Sequence, residues 1–551
     1  MALEYLPLTR DEMEMAGWNR PDAVLVTGDA YVDHPAFGSA VIGRVLENLG
    51  YRPALIAQPS WREPESLTRF GKPRLFFGVT AGNVDSLLSR YTAFKKVRND
   101  DPYSPGGRGG MRPERAVLVY SNLIRAAYKD VPLIIGGIEA SMRRFVHYDF
   151  WDNSVRRSIL EDSRADLLVY GMGEGQVAEI ARRLERGQSL SGIPGTAEIT
   201  RTLPPGALIL PSEEEVMADR AAFLEFYRLL YRNGHKILAQ PAGRRYIVQY
   251  PPAETSREDL ERIYSLPFSR KPHPSYGSDP IPAFEMIRDS LNAHRGCVSG
   301  CAFCSLALHQ GRTIVSRSPE SLLEEAERIA AGRDFRGHIT DIGGPSANMY
   351  GAACRIGWKC ARESCTYPEL CPNLTLDTAG WVDILGRAEG IGRIKHVTVG
   401  SGIRYDLFMR DDPALLKDLA RRHVSGQLKI APEHTAPAVL RAMRKSPLCS
   451  LEDFRETFLS AARSAGKKLY IIPYFMSCHP GCRLTDMREM RSRVQALFRF
   501  VPQQAQAFIP LPMTVSSVIY YTGIDPASGE EFFVERDTAA RRRQHEVLTK
   551  G

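Results

Sequence analysis

Two separate stretches of this chain alternate short apolar runs with helical periods, and few fold classes accommodate that pattern. Between residues 20 and 190, strand-like runs fall at 23–27, 53–57, 74–79, 116–120, 132–135 and 166–170. Helical periods lie between several of them. The clearest is 38–50, where Val41, Val45 and Leu49 share a face and Gly50 supplies a stop. Parallel strands need long crossover connections, usually helices, so the first stretch predicts an open α/β sheet. Residues 100–115 are rich in Gly, Pro and Arg and read as a mobile surface loop. Residues 201–285 hold many prolines and one helical period, near 212–234, and read as a connector. The alternation returns near 289. Strand candidates are 290–294, 338–342, 394–399, 427–431 and 468–473, and helix candidates are 319–331, 381–389, 413–422, 436–444, 452–465 and 486–500. Ser318 before Pro319 is a clean helix start. Five or six β/α units predict a full or partial parallel barrel.

Cysteine is confined to the second stretch. The first of ten is Cys297 and the last is Cys482. Disulfide frameworks belong to small secreted chains. Here the first ten residues, with Glu4, Pro7 and Arg10, lack the apolar core of a signal peptide. No run approaches the ~20 apolar residues of a membrane span. The expectation is a cytoplasmic chain with no membrane partner, whose clustered thiols bind metal or do redox chemistry. A net charge of +8, from 72 basic and 64 acidic residues in 551, is mild and gives nucleic-acid binding only weak support.

The segment Cys297-Val-Ser-Gly-Cys301-Ala-Phe-Cys304 places three thiols in a glycine-containing loop directly after the first strand of the second stretch. Iron–sulfur cubanes commonly take four cysteines. A three-cysteine loop with no fourth nearby leaves one iron open to another ligand. In β/α barrels the loops after the strands form the reactive face. Later strand ends on that face carry Gly343-Gly344-Pro345, Gly400-Ser401-Gly402 and Pro432-Glu433-His434. Gly343, Gly344, Ser401 and Glu433 are therefore candidate cofactor-binding residues. No acid–base catalytic residue can be named.

A second group, Cys354, Cys360, Cys365 and Cys371, is spaced C-x5-C-x4-C-x5-C. It could hold a second iron–sulfur cluster or a structural zinc, which favours four sulfur ligands, or remain as free or redox thiols. Cys478 and Cys482 flank His479 by chance spacing, and Cys449 reads as packing. The glycines of 171–175 follow a late strand, which argues against a dinucleotide loop.

Cys297, Cys301, Phe303 and Cys304 match every position of C-x3-C-x-aromatic-C, and the loop resembles that of the radical S-adenosylmethionine superfamily. The resemblance implies a [4Fe–4S] cluster whose open iron binds the amino and carboxylate groups of S-adenosylmethionine. Reductive cleavage would then yield a 5′-deoxyadenosyl radical acting on an unknown substrate. It also implies a small electron donor such as flavodoxin or ferredoxin. Gly343 and Gly344 match that superfamily's Gly-Gly-Glu turn, with Pro345 in place of the acid. The whole chain is similar to its YgiQ-type group through Asp33-His34-Pro35, 136–141, Arg295-Gly296-Cys297, 309–312, the four-cysteine insert, 431–434 and Pro512-Met513-Thr514.

Residues 38–50, 133–137 and 171–175 resemble a cobalamin-binding domain. Because Asp33-His34-Pro35 lacks the Asp-x-His-x-x-Gly spacing, bound cobalamin is not expected. The division implied is a cobalamin-domain-like unit over 1–200, a connector over 201–285, a radical barrel over 286–505 with its insert at 354–371, and a C-terminal tail over 506–551. An RNA methyl- or methylthio-transferase, and a metal-stabilised binding protein without turnover, are the rival readings.

Overall fold

The computed structural model describes residues 3–358, 360, 362–445, 447–500 and 505–550. The chain forms two compact units, one of residues 1–254 and 262–288, the other of 255–261 and 289–551.

The first unit is built on nine strands: β1 (Ala23–Thr27), β2 (Pro53–Ala57), β3 (Phe76–Thr80), β4 (Leu133–Gly136), β5 (Leu167–Val169), β6 (Thr196–Thr200), β7 (Leu208–Ile209), β8 (Leu238–Ala242) and β9 (Arg245–Gln249). Their order is β7-β8-β9-β6-β5-β4-β3-β1-β2. The run from β2 to β5 is parallel. β1 is buried at every position, as a strand covered on both faces must be.

Three sequence expectations are corrected here. Residues 116–120 are not a strand but the start of a helix, Ala116–Ala127. A short apolar run cannot be told from a buried helix face by periodicity alone. This one continues with Ala116, Val117, Tyr120, Ser121 and Ile124 buried along one side. Residues 201–285 are not a free connector. They supply β7, β8 and β9, with two helices, Glu213–Ala218 and Arg220–Asn233, that meet at Asp219. Asp219 ends one helix and caps the other by accepting the Ala222 N–H at 2.9 Å. Residues 100–115 are anchored, not mobile: the Arg112 guanidinium is buried against Asp101 and Asp29, both within 2.9 Å.

The second unit carries parallel segments that pair in chain order. β10 (Ser290–Asn292) pairs with β12 (Asp341–Gly343), and β11 (His338–Ile339) pairs with β13 (His396–Val397). A bridge from Ile403 to Ile430 leads to β14 (Gln427–Glu433). That strand pairs with β15 (Tyr470–Ser477), which pairs with β16 (Ala505–Ala507). Among the described residues no pairing joins β16 back to β10, so the structure is a partial β/α barrel. Its core packs strand residues Ile342, Val397, Leu428 and Ile471 against helix residues such as Trp381, whose indole N–H donates to the Ile342 carbonyl at 2.9 Å.

The C-terminal residues 506–550 pack on the barrel. The helix Thr538–Thr549 buries Leu548 in this core, and Gln544 donates to the Cys482 carbonyl at 3.1 Å. Among the described residues no helix is long and apolar enough to cross a membrane.

Candidate cluster and cofactor site

The cysteine loop is cinched at its base. Gly296 has φ +89°, and a Cβ there would lie 2.0 Å from the Thr313 carbonyl oxygen. The Cys297 N–H donates to the Gly311 carbonyl at 3.1 Å. At the other end Cys304 caps the helix Ser305–Gln310, and the Leu306 and Ala307 amides face its thiol. The loop is also held at its middle. The Ala302 N–H donates to Met443, and its carbonyl accepts from Ser516.

The three thiols lie within electrostatic reach of one another. Burial, then the neighbouring thiols, push Cys304 up to about 12, and burial likewise raises Cys301. For Cys301 and Cys304, nearby positive charge favours the thiolates that bind metal. Two cations stand beside Cys301, those of Lys445 and Arg404. Arg404 is 7 % exposed and grips Asp406 with two bonds, Nε to Oδ1 at 2.6 Å and Nη2 to Oδ2 at 3.0 Å. Its Nη1 donates to Ser299 Oγ at 2.6 Å, within the cysteine loop. Lys445 Nζ lies 3.1 Å from Glu433 Oε1, which brings that sequence-predicted residue to the loop. Glu433 holds φ +67° at the end of β14.

The Gly-Gly turn is enforced by contact. A Cβ on Gly343 would lie 2.6 Å from Ser401 Oγ and 2.7 Å from Asp341 Oδ2, and one on Gly344 would lie 2.5 Å from the His294 ring. Gly343 therefore lies against Ser401, and Gly344 against His294. Asp341 Oδ1 accepts from the Gly400 N–H, the Ser401 N–H and Ser401 Oγ, and Lys429 Nζ donates to the Gly400 carbonyl. Burial raises the Asp341 carboxyl above the ordinary carboxylate range. His294 is buried with neither ring nitrogen hydrogen-bonded, and burial pulls it down to about 4.

Residues 5–290 match the Radical SAM N-terminal family. A UPF0313 protein of Geobacter sulfurreducens is 47% identical over 560 residues, covering 99% of this chain and 92% of the relative. Another, of Methanocella arvoryzae, is 45% identical, with 98% and 92% covered. The chain belongs to the UPF0313, or YgiQ-type, family of radical S-adenosylmethionine proteins. Among solved structures, this UPF0313 chain is similar to TsrM of Kitasatospora setae, a radical S-adenosylmethionine methyltransferase solved with tryptophan and a cofactor analogue. The TM-score is 0.53 at 16% identity, over 90% of this chain and 75% of TsrM. TsrM with cobalamin and a [4Fe–4S] cluster gives 0.51. At such identity the likeness is one of fold.

The fold raises the question of cobalamin in this UPF0313 protein. Ligands of open α/β sheets bind where the strand order reverses, here beyond the ends of β1 and β3. That crevice is filled by the chain itself. A Cβ on Gly28 would lie 2.3 Å from the Ala81 carbonyl oxygen, and one on Gly82 would overlap the Asp29 carboxylate. Arg112 Nη1 donates to the same Ala81 carbonyl at 2.9 Å. His34 is 1 % exposed and its Nδ1 accepts the Ala36 N–H. Asp33 is bound by Arg44.

Cys449, Cys478 and Cys482 lie outside the two cysteine groups. Cys478 donates to the Arg541 carbonyl, Cys482 contacts His434 Nε2 at 3.6 Å, and His479 is taken by Ser516 at 2.7 Å. Cys449 packs partly buried against the barrel core. Among the described residues, no group of three or more His, Cys, Asp or Glu converges as for a single metal ion. A cubane does not require such convergence, because each thiolate binds its own iron.

Sequence reasoning missed Asp341, Lys429, His294, Arg404 and Lys445. Asp341 had a signal, since it lies two residues before Gly343 and so on the same side of the strand. The other four become visible only once distant segments meet.

Proposed function

We propose that Cys297, Cys301 and Cys304 hold a [4Fe–4S] cluster whose fourth iron takes S-adenosylmethionine, and that the protein uses it for radical chemistry on a substrate still to be found. The observation that supports this most is the position of three mutually close thiols on the loop after the first barrel strand, beside two buried cations. When bound, the cluster supplies the electron that cleaves a carbon–sulfur bond of S-adenosylmethionine. The chain's residues do the positioning. Gly343 and Gly344 would meet the methionine moiety through their backbone, and Asp341 fixes the Gly400–Ser401 turn that would face the cofactor. Glu433 is oriented by Lys445. Arg404 and Lys445 offset thiolate charge. An external one-electron donor such as flavodoxin or ferredoxin is required.

We read the first unit as a cobalamin-type fold that does not take cobalamin, on the strength of its filled crevice. Stoichiometric cobalamin retained through gel filtration would count against that reading. For the cluster, the test is anaerobic reconstitution of the wild type and of Cys301→Ala, with iron analysis and electron paramagnetic resonance before and after adding S-adenosylmethionine. The expected result is a reduced-cluster signal that changes on addition in the wild type and is missing in the variant. An identical signal in both would overturn the ligand assignment.

A further inference from the structure

Cys354, Cys360, Cys365 and Cys371 are spread over 18 residues, yet the fold gathers them. A short antiparallel pair, Ala353–Cys354 with Leu374–Thr375, closes the insert and sets Cys354 opposite Leu374. The Cys371 N–H donates to the Cys365 carbonyl at 2.8 Å. Cys354, Cys360 and Cys371 all lie within electrostatic reach of the Cys365 thiol, and none of the four is in a disulfide. The insert's apolar packing is limited. Cys365 and Cys371 are themselves members of its small apolar cluster, with Val298, Ile314, Met349, Ala352 and Leu407. Ile356 is 46% exposed. Segments this small are usually stapled by disulfides or metal.

The insert packs on the cysteine loop described above. The Cys365 N–H donates to the Val298 carbonyl at 2.9 Å. Ser364 Oγ and Thr366 Oγ1 both reach the Ser299 carbonyl, and both residues are buried. A Cβ on Gly300 would lie 2.4 Å from the Glu363 carbonyl oxygen. The insert therefore bonds two of the three residues between Cys297 and Cys301, Val298 through backbone and Ser299 through side-chain hydroxyls, and leaves room only for glycine at the third. Glu363 is held from the other side by Arg444, which also binds Asp525 at 3.0 Å.

We propose that the four insert cysteines form a second metal centre, an iron–sulfur cluster held by four thiolates, which stiffens the insert and through Ser364 and Thr366 clamps the 297–304 loop. Binding replaces the four thiol protons with metal and releases them to solvent. The clamp, though not the metal centre, rests on the 297–304 loop carrying the cluster proposed above.

The test begins with the Cys297→Ala, Cys301→Ala, Cys304→Ala triple variant, analysed for iron, sulfide and zinc per chain after anaerobic reconstitution. About four irons with sulfide support the cluster if they are lost when Cys354, Cys360, Cys365 and Cys371 are also changed to Ser. About one zinc per chain without sulfide would overturn it. A soluble triple variant with no metal and four thiols titratable without denaturant would overturn it. Wild-type protein with no more metal than the triple variant would defeat the first cluster, and the clamp with it, while the insert's metal stood. The clamp is read separately. In Ser364→Ala/Thr366→Val, iron loss from the first cluster to a chelator should speed up severalfold while the insert keeps its metal. An unchanged rate would refute the clamp.

Discussion

Gly300 sits between Cys297 and Cys301 with φ +59°, and replacing it with alanine isolates the contact between the insert and the cysteine loop. Two penalties add. The left-handed backbone costs a residue with a Cβ about 1–2 kcal/mol. The new methyl would also lie 2.4 Å from the Glu363 carbonyl oxygen and 3.1 Å from Ser364 Cβ, so backbone must shift. Overpacking of that kind costs about 1–3 kcal/mol. Gly357→Ala is the control. It has φ +66° and nothing within 4 Å of its Cβ, so it carries only the first penalty. Gly300→Ala should therefore be destabilised by about 1–3 kcal/mol more than Gly357→Ala. Urea unfolding of the two variants, followed by near-ultraviolet circular dichroism, measures the difference, and limited trypsin digestion should cut the insert of Gly300→Ala first. Equal stability and equal digestion of the two variants would refute the packing of the insert on the loop.

Two further outcomes follow in the first unit. Arg44 and Asp33 are a fully buried pair, so Arg44→Met should cost about 3–5 kcal/mol by stranding the carboxylate; an Arg44→Met/Asp33→Asn double variant should recover part of that in thermal unfolding. Burial and the neighbouring Glu161 push the Glu213 carboxyl up to about 8. The native state then holds a proton that the unfolded chain has lost, from the ordinary glutamate range up to about pH 8, so stability falls as pH rises through that window. Glu213→Gln should flatten the slope and stabilise the protein at pH 8, measured as urea midpoints at pH 5 and 8.5.

The β/α alternation was legible because short apolar strands such as β1 are buried on both faces and therefore continuous in sequence. The same reasoning fails at 116–127, where a helix face begins with the same kind of apolar run. It fails again over 201–285, where Pro241 sits inside β8 and hides a strand. The cysteine loop and the Gly-Gly turn were legible because their chemistry is local. Arg404 and Ser299 lie 105 residues apart, and Asp341 and Ser401 lie 60 apart, so only the folded partial barrel pairs them. Ser364 and Thr366 gave no signal at all, because side chains that bond a distant carbonyl leave no spacing to read.

The measurement that bears most directly on the proposed chemistry is formation of 5′-deoxyadenosine from S-adenosylmethionine. It uses anaerobic protein with a full, dithionite-reduced cluster, with and without fractions of cell extract to supply substrate. The proposal expects product from the wild type and none from Cys301→Ala at equal protein concentration. No product in any fraction, from protein whose reduced cluster is visible by electron paramagnetic resonance, would contradict it.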